Sequence, residues 1–319
     1  MINYLYCFDS NYNIQGLCSM YSLLEQSSEK LNIDIIHNDP DSFQEIDTIV
    51  LKHPCLNQLK IHKFKNSGID FPKVTGTHIS EATYYRMFIE DYLSSENEYY
   101  VYIDADIICH KDPVPSFNSN LFDLESTKHT ISVKTEHHKS KNTEEMFKRL
   151  SLSGRRYFNA GVMIINYNKW QKDNLTKKLI TKMNILSDNI VFWDQDVLNS
   201  YFDGEYLELD NNLNYNLHLT EENSKKKILK KALNDMVLVH YSGSFKPWTV
   251  RGAYNVNSIY YHEIFTLIFR QSHHIVSKWR FGSLIQLIKG FLNLNIFFIY
   301  RPFSFIKCSL VSILIKDKQ

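Results

Sequence analysis

Two stretches of this chain hold residue types that do chemistry together. Residues 99–106 form an apolar run of β-type side chains ending in Asp104 and Asp106, two carboxylates separated by Ala105. Residues 240–248 open on His240, pass through a small turn at Gly243 and reach the ammonium of Lys246 before Pro247 and Trp248. In an extended backbone residues i and i+2 face the same side, so both carboxylates can converge on one ion or bracket it with a phosphate. Two carboxylates and an imidazole make an oxygen–nitrogen site that suits Mn²⁺, with Mg²⁺ as a substitute. A lysine beside such a site neutralises a phosphate as the bond to it breaks, and a glycine lets the backbone approach phosphates closely. Singly, each feature has a plain alternative: a solvated turn, a structural histidine, an exposed lysine. In combination they imply an enzyme that uses a nucleotide-diphosphate donor.

Other polar residues stand where such a site would need them. Asp194-Gln195-Asp196 follows the aromatic pair Phe192-Trp193 at a helix start, where an N-cap with a first-turn acid is the structural alternative. Asn159, in a strand entered through Tyr157 and Phe158, offers a donor and an acceptor to a sugar hydroxyl; its alternative is simple packing.

These residues need a frame to position them. Residues 2–8, 31–36, 59–64 and 99–104 read as strands, with helices over about 13–26 and from an N-cap at Ser80 to about Leu93. Strands alternating with helices predict an α/β fold with a mostly parallel sheet, whose ligands gather at the carboxyl ends of the strands. Asp9, Asp104 and Asp106 fall at such ends. Farther on, 131–135, 162–165, 206–209 and 237–241 read as strands, 167–186 as a helix, and a short helix begins near Asp194. The polar segments 111–130, 136–156 and 211–235 read as loops or excursions over the site. One catalytic domain over residues 1–270 is followed by a tail over 271–319.

Composition fits this frame. A hydrophobic fraction of 44% in 319 residues fills a sizeable core. A formal net charge of +1 gives no case for nucleic-acid binding. The cysteines (Cys7, Cys18, Cys55, Cys109, Cys308) are odd in number and never spaced as CxxC, which argues against disulfides and zinc and for a reducing cytoplasm. The first residues lack a basic leader segment and read as a strand, and no segment offers the roughly 20 consecutive apolar residues of a spanning helix. A cytoplasmic or peripheral protein is the expectation.

The motifs recur as a set. In chain order stand Phe8-Asp9-Ser10-Asn11-Tyr12, His78-Ile79-Ser80, Tyr84-Tyr85-Arg86, Tyr102-Ile103-Asp104-Ala105-Asp106, Phe158-Asn159-Ala160-Gly161-Val162, Trp193-Asp194-Gln195-Asp196 and the run from His240 to Trp248. On these motifs, over about residues 1–265, the chain resembles the retaining glycosyltransferases of family 8. Within that family it is most similar to bacterial galactosyl- and glucosyltransferases that extend lipopolysaccharide or lipooligosaccharide cores. The resemblance implies a GT-A fold: a Rossmann-like, mostly parallel sheet with a smaller mixed-sheet region, here followed by a helical C-terminal tail. It implies Mn²⁺ between the protein and a UDP-galactose or UDP-glucose donor, with Asp104, Asp106 and His240 as the metal ligands. Asp9 and Asn11 match the uridine-binding positions, and Gly243 and Lys246 the diphosphate contacts. Arg86, Asn159, Asp194 and Gln195 match the residues around the donor sugar, with Gln195 nearest the anomeric carbon.

An amide at Gln195 is a poor nucleophile for the double displacement that retaining glycosidases use. Front-face departure of UDP, with the acceptor attacking the same face, is therefore favoured, and Asp194 is the reserve nucleophile. One departure bears on sugar choice. Where some members of the family place an aspartate after the strand matching 131–135, this chain has Glu136, followed by His137 and His138.

The tail carries its own signal. Residues 281–300 are rich in Phe, Leu and Ile, with Ser283, Gln286, Lys289 and Asn293 spaced as one narrow polar stripe on a helix. After Glu263 the sole acid is Asp317, against Arg270, Lys278, Arg280, Lys289, Arg301, Lys307, Lys316 and Lys318. Such a segment is expected to lie on an anionic membrane, at the inner face of the cytoplasmic membrane where a glycolipid acceptor would reside; a core helix or a dimer contact is the alternative. Three other functions compete with hexose transfer to a saccharide acceptor. Glycogenin-like self-glucosylation needs an acceptor tyrosine, and the chain has 20 tyrosines. A haloacid-dehalogenase-type phosphatase would place its DxD after the first strand, with Thr or Val where Ile108 stands. A non-catalytic sugar-binding module is disfavoured because Asp104, Asp106 and His240 are all present.

Overall fold

The computed structural model describes residues 2–43, 48–66, 68–72, 80–220, 225, 235–276 and 280–314. Side chains alternate along β1 (Asn3–Phe8), sending Leu5 and Cys7 into one core cluster and Tyr4, Tyr6 and Phe8 into another on the opposite face. In β4 (Tyr99–Ile103) Val101 and Ile103 join the cluster of Tyr4, while Tyr100 and Tyr102 join that of Leu5. A sheet covered on both faces is the usual setting of parallel strands, and explains why these runs are apolar throughout.

The large sheet has the order β3-β2-β1-β4-β7-β6-β8, where β2 is Leu31–His37, β3 Leu56–Lys63, β6 Ile131–His138, β7 Arg156–Asn166 and β8 Leu207–Glu208. β1 pairs parallel with β2 and β4, as do β2 with β3 and β6 with β8; only β7 runs antiparallel to its neighbours. A smaller mixed sheet joins β5 (Ile107–Cys109), β10 (Leu238–His240) and β9 (Tyr215–Asn216). The order of the large sheet turns back between β1 and β4. Asp9 and Asp104, which follow these two strands, therefore share one edge. The small sheet then sets His240 opposite Ile107, next in sequence to Asp106.

Helices α1 (Asn13–Gln26), α4 (Tyr167–Lys172), α5 (Leu175–Leu186), α6 (Trp193–Phe202) and α7 (Ile259–Phe269) support the sheets. Some elements differ from the sequence expectation. The helix after Ser80 is a kinked 3₁₀ segment, Glu81–Asp91, although Ser80 does cap it by accepting from the Ala82 N–H at 3.1 Å. The helix expected over 167–186 divides at Asn174, whose φ of +51° is left-handed. The segments taken as loops hold α2 (Val114–Glu125) and α3 (Glu144–Arg149), and the strand expected at 162–165 begins already at Arg156. His78 and Ile79, part of one motif, lie outside the described residues, as does most of 221–234.

The tail folds into α8 (Arg280–Leu292) and α9 (Pro302–Leu314). Leu287, Ile296, Ile299, Phe305 and Ile313 bury themselves against Val250 and Ala253, just beyond the 240–248 run. Ser283 and Gly290 also face inward, whereas Phe281, Leu292, Phe303 and Leu314 are each more than 75% exposed. Of the polar stripe, Ser283 turns toward the domain and Gln286 is partly covered, while Lys289 and Asn293 stay exposed. The apolar side chains divide between the buried face and the outer one.

Candidate active site

The strand ends bring the predicted metal ligands together. One ligand atom from each of Asp104, Asp106 and His240 lies within 4.8 Å of the others. His240 Nε2 stands 3.3 Å from Asp106 Oδ1 and 4.0 Å from Asp104 Oδ2. Asp106 Oδ1 is buried and has no hydrogen-bond partner, an arrangement that normally costs about 1–3 kcal/mol or more for a charged group. A divalent cation held by these three side chains would satisfy it, so the donor set and the orphaned oxygen both fit a hard-to-borderline ion.

Lys246 reaches the other oxygen, with Nζ 2.6 Å from Asp106 Oδ2 and donating to the Tyr241 carbonyl at 2.6 Å. Burial alone would raise the Asp106 carboxyl, but the Lys246 ammonium and the His240 imidazole outweigh it and hold the group well below the usual carboxylate range. The loop that carries Lys246 is braced. Thr249 Oγ1 donates to the Lys246 carbonyl at 2.8 Å, and His262 Nε2 stands 3.0 Å from the Pro247 carbonyl. Gly243 has φ +88°, a left-handed conformation that favours glycine.

A second charged cluster adjoins the first. Arg86 is buried, with Nε 2.6 Å from Asp194 Oδ2, Nη1 3.4 Å from Asp104 Oδ1 and Nη1 donating to the Ala160 carbonyl at 2.6 Å. Burial opposes its charge, yet Asp194, Tyr102 and Asp104 together hold the guanidinium protonated above its ordinary range. Burial pushes the Asp194 carboxyl up to about 7, against the pull of Arg86 and with the help of the nearby Asp104 charge. Gln195 is committed at both ends of its amide: Oε1 accepts from the Ala160 N–H at 3.0 Å and Nε2 donates to the Tyr157 hydroxyl at 3.2 Å. Asp9 accepts from both the backbone and side-chain nitrogens of Asn11 at 3.0 and 3.1 Å, closing a turn at the end of β1. Asn159 Oδ1 accepts from the Gly161 N–H at 2.9 Å. Glu136 lies on β6, its Oε1 3.4 Å from Asn216 Nδ2.

The structure adds residues that spacing did not reveal. Tyr102 donates its hydroxyl to Asp104 Oδ1. Tyr157 donates to Asp196 Oδ1 at 2.8 Å, and Asp196 also meets Arg149 at 2.7 Å, which makes Asp196 the anchor of the Asp194-Gln195 turn. Asn214, fully buried, contacts both His240 and Asn159. The two tyrosines lie in strands that the sequence did indicate, but Asn214 lies in a polar segment with no distinguishing signal.

A parallel sheet whose switch point gathers two carboxylates, an imidazole and an ammonium has the architecture of a GT-A glycosyltransferase. The fold likeness is direct: the solved galactosyltransferase LgtC, in complex with donor and acceptor sugar analogues, aligns with a TM-score of 0.67 at 18% identity, covering 88% of this chain and 100% of that one. Residues 3–251 match the model of glycosyl transferase family 8, and the chain belongs to that family. It is 31% identical over 185 residues to a lipopolysaccharide 1,3-galactosyltransferase of Salmonella typhimurium, covering 56% of this chain and 52% of that protein. It is 27% identical over 253 residues to a lipopolysaccharide 1,2-glucosyltransferase of Escherichia coli, covering 75% of this chain and 71% of that protein.

Proposed function

We propose that this glycosyltransferase moves galactose or glucose from a UDP-sugar to a hydroxyl of a lipopolysaccharide or lipooligosaccharide core, with retention at the anomeric carbon. The observation that carries the reading is the orphaned Asp106 Oδ1 between His240 and Asp104, with Lys246 on the opposite oxygen. Asp104, Asp106 and His240 would hold Mn²⁺, or Mg²⁺ in its place, and the ion when bound would supply Lewis-acid neutralisation of the donor diphosphate.

The side chains have separable tasks. Lys246, on its braced loop with Gly243, places a positive charge where the departing phosphate oxygen gains electrons. Asp9 and Asn11 close a turn at the sheet edge suited to the uridine. Arg86, Asn159, Asp194 and Gln195 surround the sugar position. As the anomeric C–O bond breaks, its electron pair leaves with UDP. The acceptor oxygen bonds to the same face of the sugar, and its proton passes to the departing phosphate oxygen. Asp194 is bound to Arg86 and Gln195 is tied to Ala160 and Tyr157, which supports same-face substitution over a covalent intermediate. The protein's part is position and charge.

The tail supports a location. Among the described residues no helix is long and apolar enough to cross a membrane. α8 and α9 nonetheless present Phe281, Leu292, Phe303 and Leu314 outward beside Lys289 and Lys307, a surface suited to an anionic lipid interface on the cytoplasmic side. The first test is UDP release from UDP-galactose and UDP-glucose, with and without Mn²⁺, in wild type and Asp106→Asn. Metal-dependent release from one donor, lost in the folded variant, is expected. Equal release by the variant would sink the assignment of the site.

A further inference from the structure

The site depends on a residue that touches neither proposed phosphate nor proposed sugar. Asn214 sits between a 3₁₀ turn (Asn211–Leu213) and β9, and has no exposed surface. Its Nδ2 donates to Asn159 Oδ1 at 3.0 Å, and its Oδ1 lies 3.0 Å from His240 Nδ1. The direction of this chain is set at its far end. The Gly161 N–H donates to Asn159 Oδ1, so that oxygen is an acceptor and Asn214 must offer it an amino group. Asn214 Oδ1 then faces His240, whose Nδ1 must carry the proton. A neutral imidazole with Nδ1 protonated leaves a lone pair on Nε2, the atom that points at Asp106 Oδ1 and Asp104 Oδ2.

In that tautomer a lone pair faces Asp106 Oδ1 at 3.3 Å; a proton fills this gap when the ring is protonated on both nitrogens, and a divalent cation would take that proton's place. The same network turns the Asn159 amino group away from Gly161 and Asn214, so that Asn159 presents donors only. Gly161 closes the arrangement. A Cβ on it would lie 2.4 Å from His240 Cε1 and 2.7 Å from His240 Nδ1, so any larger residue would push the ring off Asn214.

We infer that Asn214 is the positioning residue that couples the two halves of the site: one amide fixes the His240 tautomer for a divalent cation and the Asn159 amide for a sugar hydroxyl. The inference rests on the proposed metal role of Asp104, Asp106 and His240. The bond that orients a ligating histidine ordinarily controls its affinity for the ion.

Two substitutions separate the two tasks. Asn214→Asp keeps an acceptor for His240 Nδ1–H but sets a carboxylate oxygen against Asn159 Oδ1. Asn214→Ala removes both contacts. Mn²⁺ affinity is measured by the electron paramagnetic resonance of free Mn²⁺ in the presence of UDP, and KM for the UDP-sugar is compared with the inhibition constant of UDP. Asn214→Ala should weaken Mn²⁺ binding 10–100-fold, on the order of other orienting-residue losses, while Asn214→Asp stays within about threefold of wild type. Asn214→Asp should raise KM for the UDP-sugar without changing the inhibition constant of UDP. Wild-type Mn²⁺ affinity in a folded Asn214→Ala protein, or equal weakening by both variants, would overturn the role of Asn214. If Asn214→Ala does not fold, Asn214→Asp decides alone: weakened Mn²⁺ binding, or an unchanged KM for the UDP-sugar, overturns it. Wild-type protein that binds no Mn²⁺ with UDP would instead overturn the metal reading itself.

Discussion

The edge of the large sheet and the C-terminal helix pair break the same rule in opposite senses. At the sheet edge Arg86, Asp194 and His240 are charged or polar groups buried from water, as is one oxygen of Asp106; on the helix pair Phe281, Leu292, Phe303 and Leu314 are large apolar groups left in it. A soluble protein ordinarily does neither on this scale. The buried charges are largely compensated inside the molecule, by Lys246 against Asp106 and by Arg86 against Asp194 and Asp104. The exposed apolar surface has no such internal partner among the described residues. Damage to the first region should therefore appear in the isolated protein, and damage to the second only when an apolar phase is supplied.

The largest stability effect is expected where one cation serves two acids. Arg86→Leu strands Asp194 and Asp104 together and should destabilise the fold by about 3–5 kcal/mol, as other broken buried pairs do. A lower urea midpoint with an unchanged m-value would register it. A loss under 1 kcal/mol, on the scale of an exposed pair, would mean that the guanidinium is not compensating the buried charge.

A smaller effect follows from the Asp194 carboxyl, raised from 3.8 to about 7. Between those values the folded state holds a proton that the unfolded state has released. Stability from this group is therefore complete at low pH and is lost as pH rises through about 7. Its slope is at most about 1.4 kcal/mol per pH unit. Asn at position 194 cannot titrate, so Asp194→Asn should flatten the decline in unfolding free energy between pH 4 and pH 7. Parallel wild-type and variant profiles would show that burial does not raise this carboxyl.

The two regions also differed in how far the sequence disclosed them. Asp104, Asp106, His240 and Lys246 were legible because strand periodicity and ligand chemistry are local properties. Asn214 was not, since an asparagine in a polar segment looks the same whether it faces water or bridges two strands. A strand around Asn159 was legible but its reach back to Arg156 was not, because asparagine and glycine disfavour extended structure in isolation, and here pairing of Arg156–Asn159 with β6 overrides that preference. The 3₁₀ geometry of Glu81–Asp91 was equally hidden, because the apolar spacing of its residues suits an α-helix as well. On the tail, helical spacing identified the stripe of Ser283, Gln286, Lys289 and Asn293 but not the direction it faces. Packing against Tyr254 decides that: a Cβ at Gly290 would lie 2.2 Å from the Tyr254 hydroxyl, so this side of α8 must turn inward.

With Ser283 turned in and Lys289 left out, the outer face of the tail carries both apolar and basic side chains, and the smallest effects are expected there. Lys289 and Lys307 flank the exposed apolar surface, and each should contribute about 1 kcal/mol of attraction to an anionic bilayer. Lys289→Glu and Lys307→Glu should each weaken binding to phosphatidylserine vesicles severalfold at low salt, with the difference shrinking as salt screens it. Phe303→Ser should weaken binding at every salt concentration, because the area it removes from water does not depend on charge. None of the three should alter metal-dependent UDP release in solution, since the altered side chains lie outside the cluster of Asp104, Asp106 and His240. Co-sedimentation with vesicles measures the first two effects. If Phe303→Ser instead converts a dimer to a monomer in sedimentation without changing vesicle binding, the outward face is covered by a second copy of the chain, and the compensation is protein and not lipid.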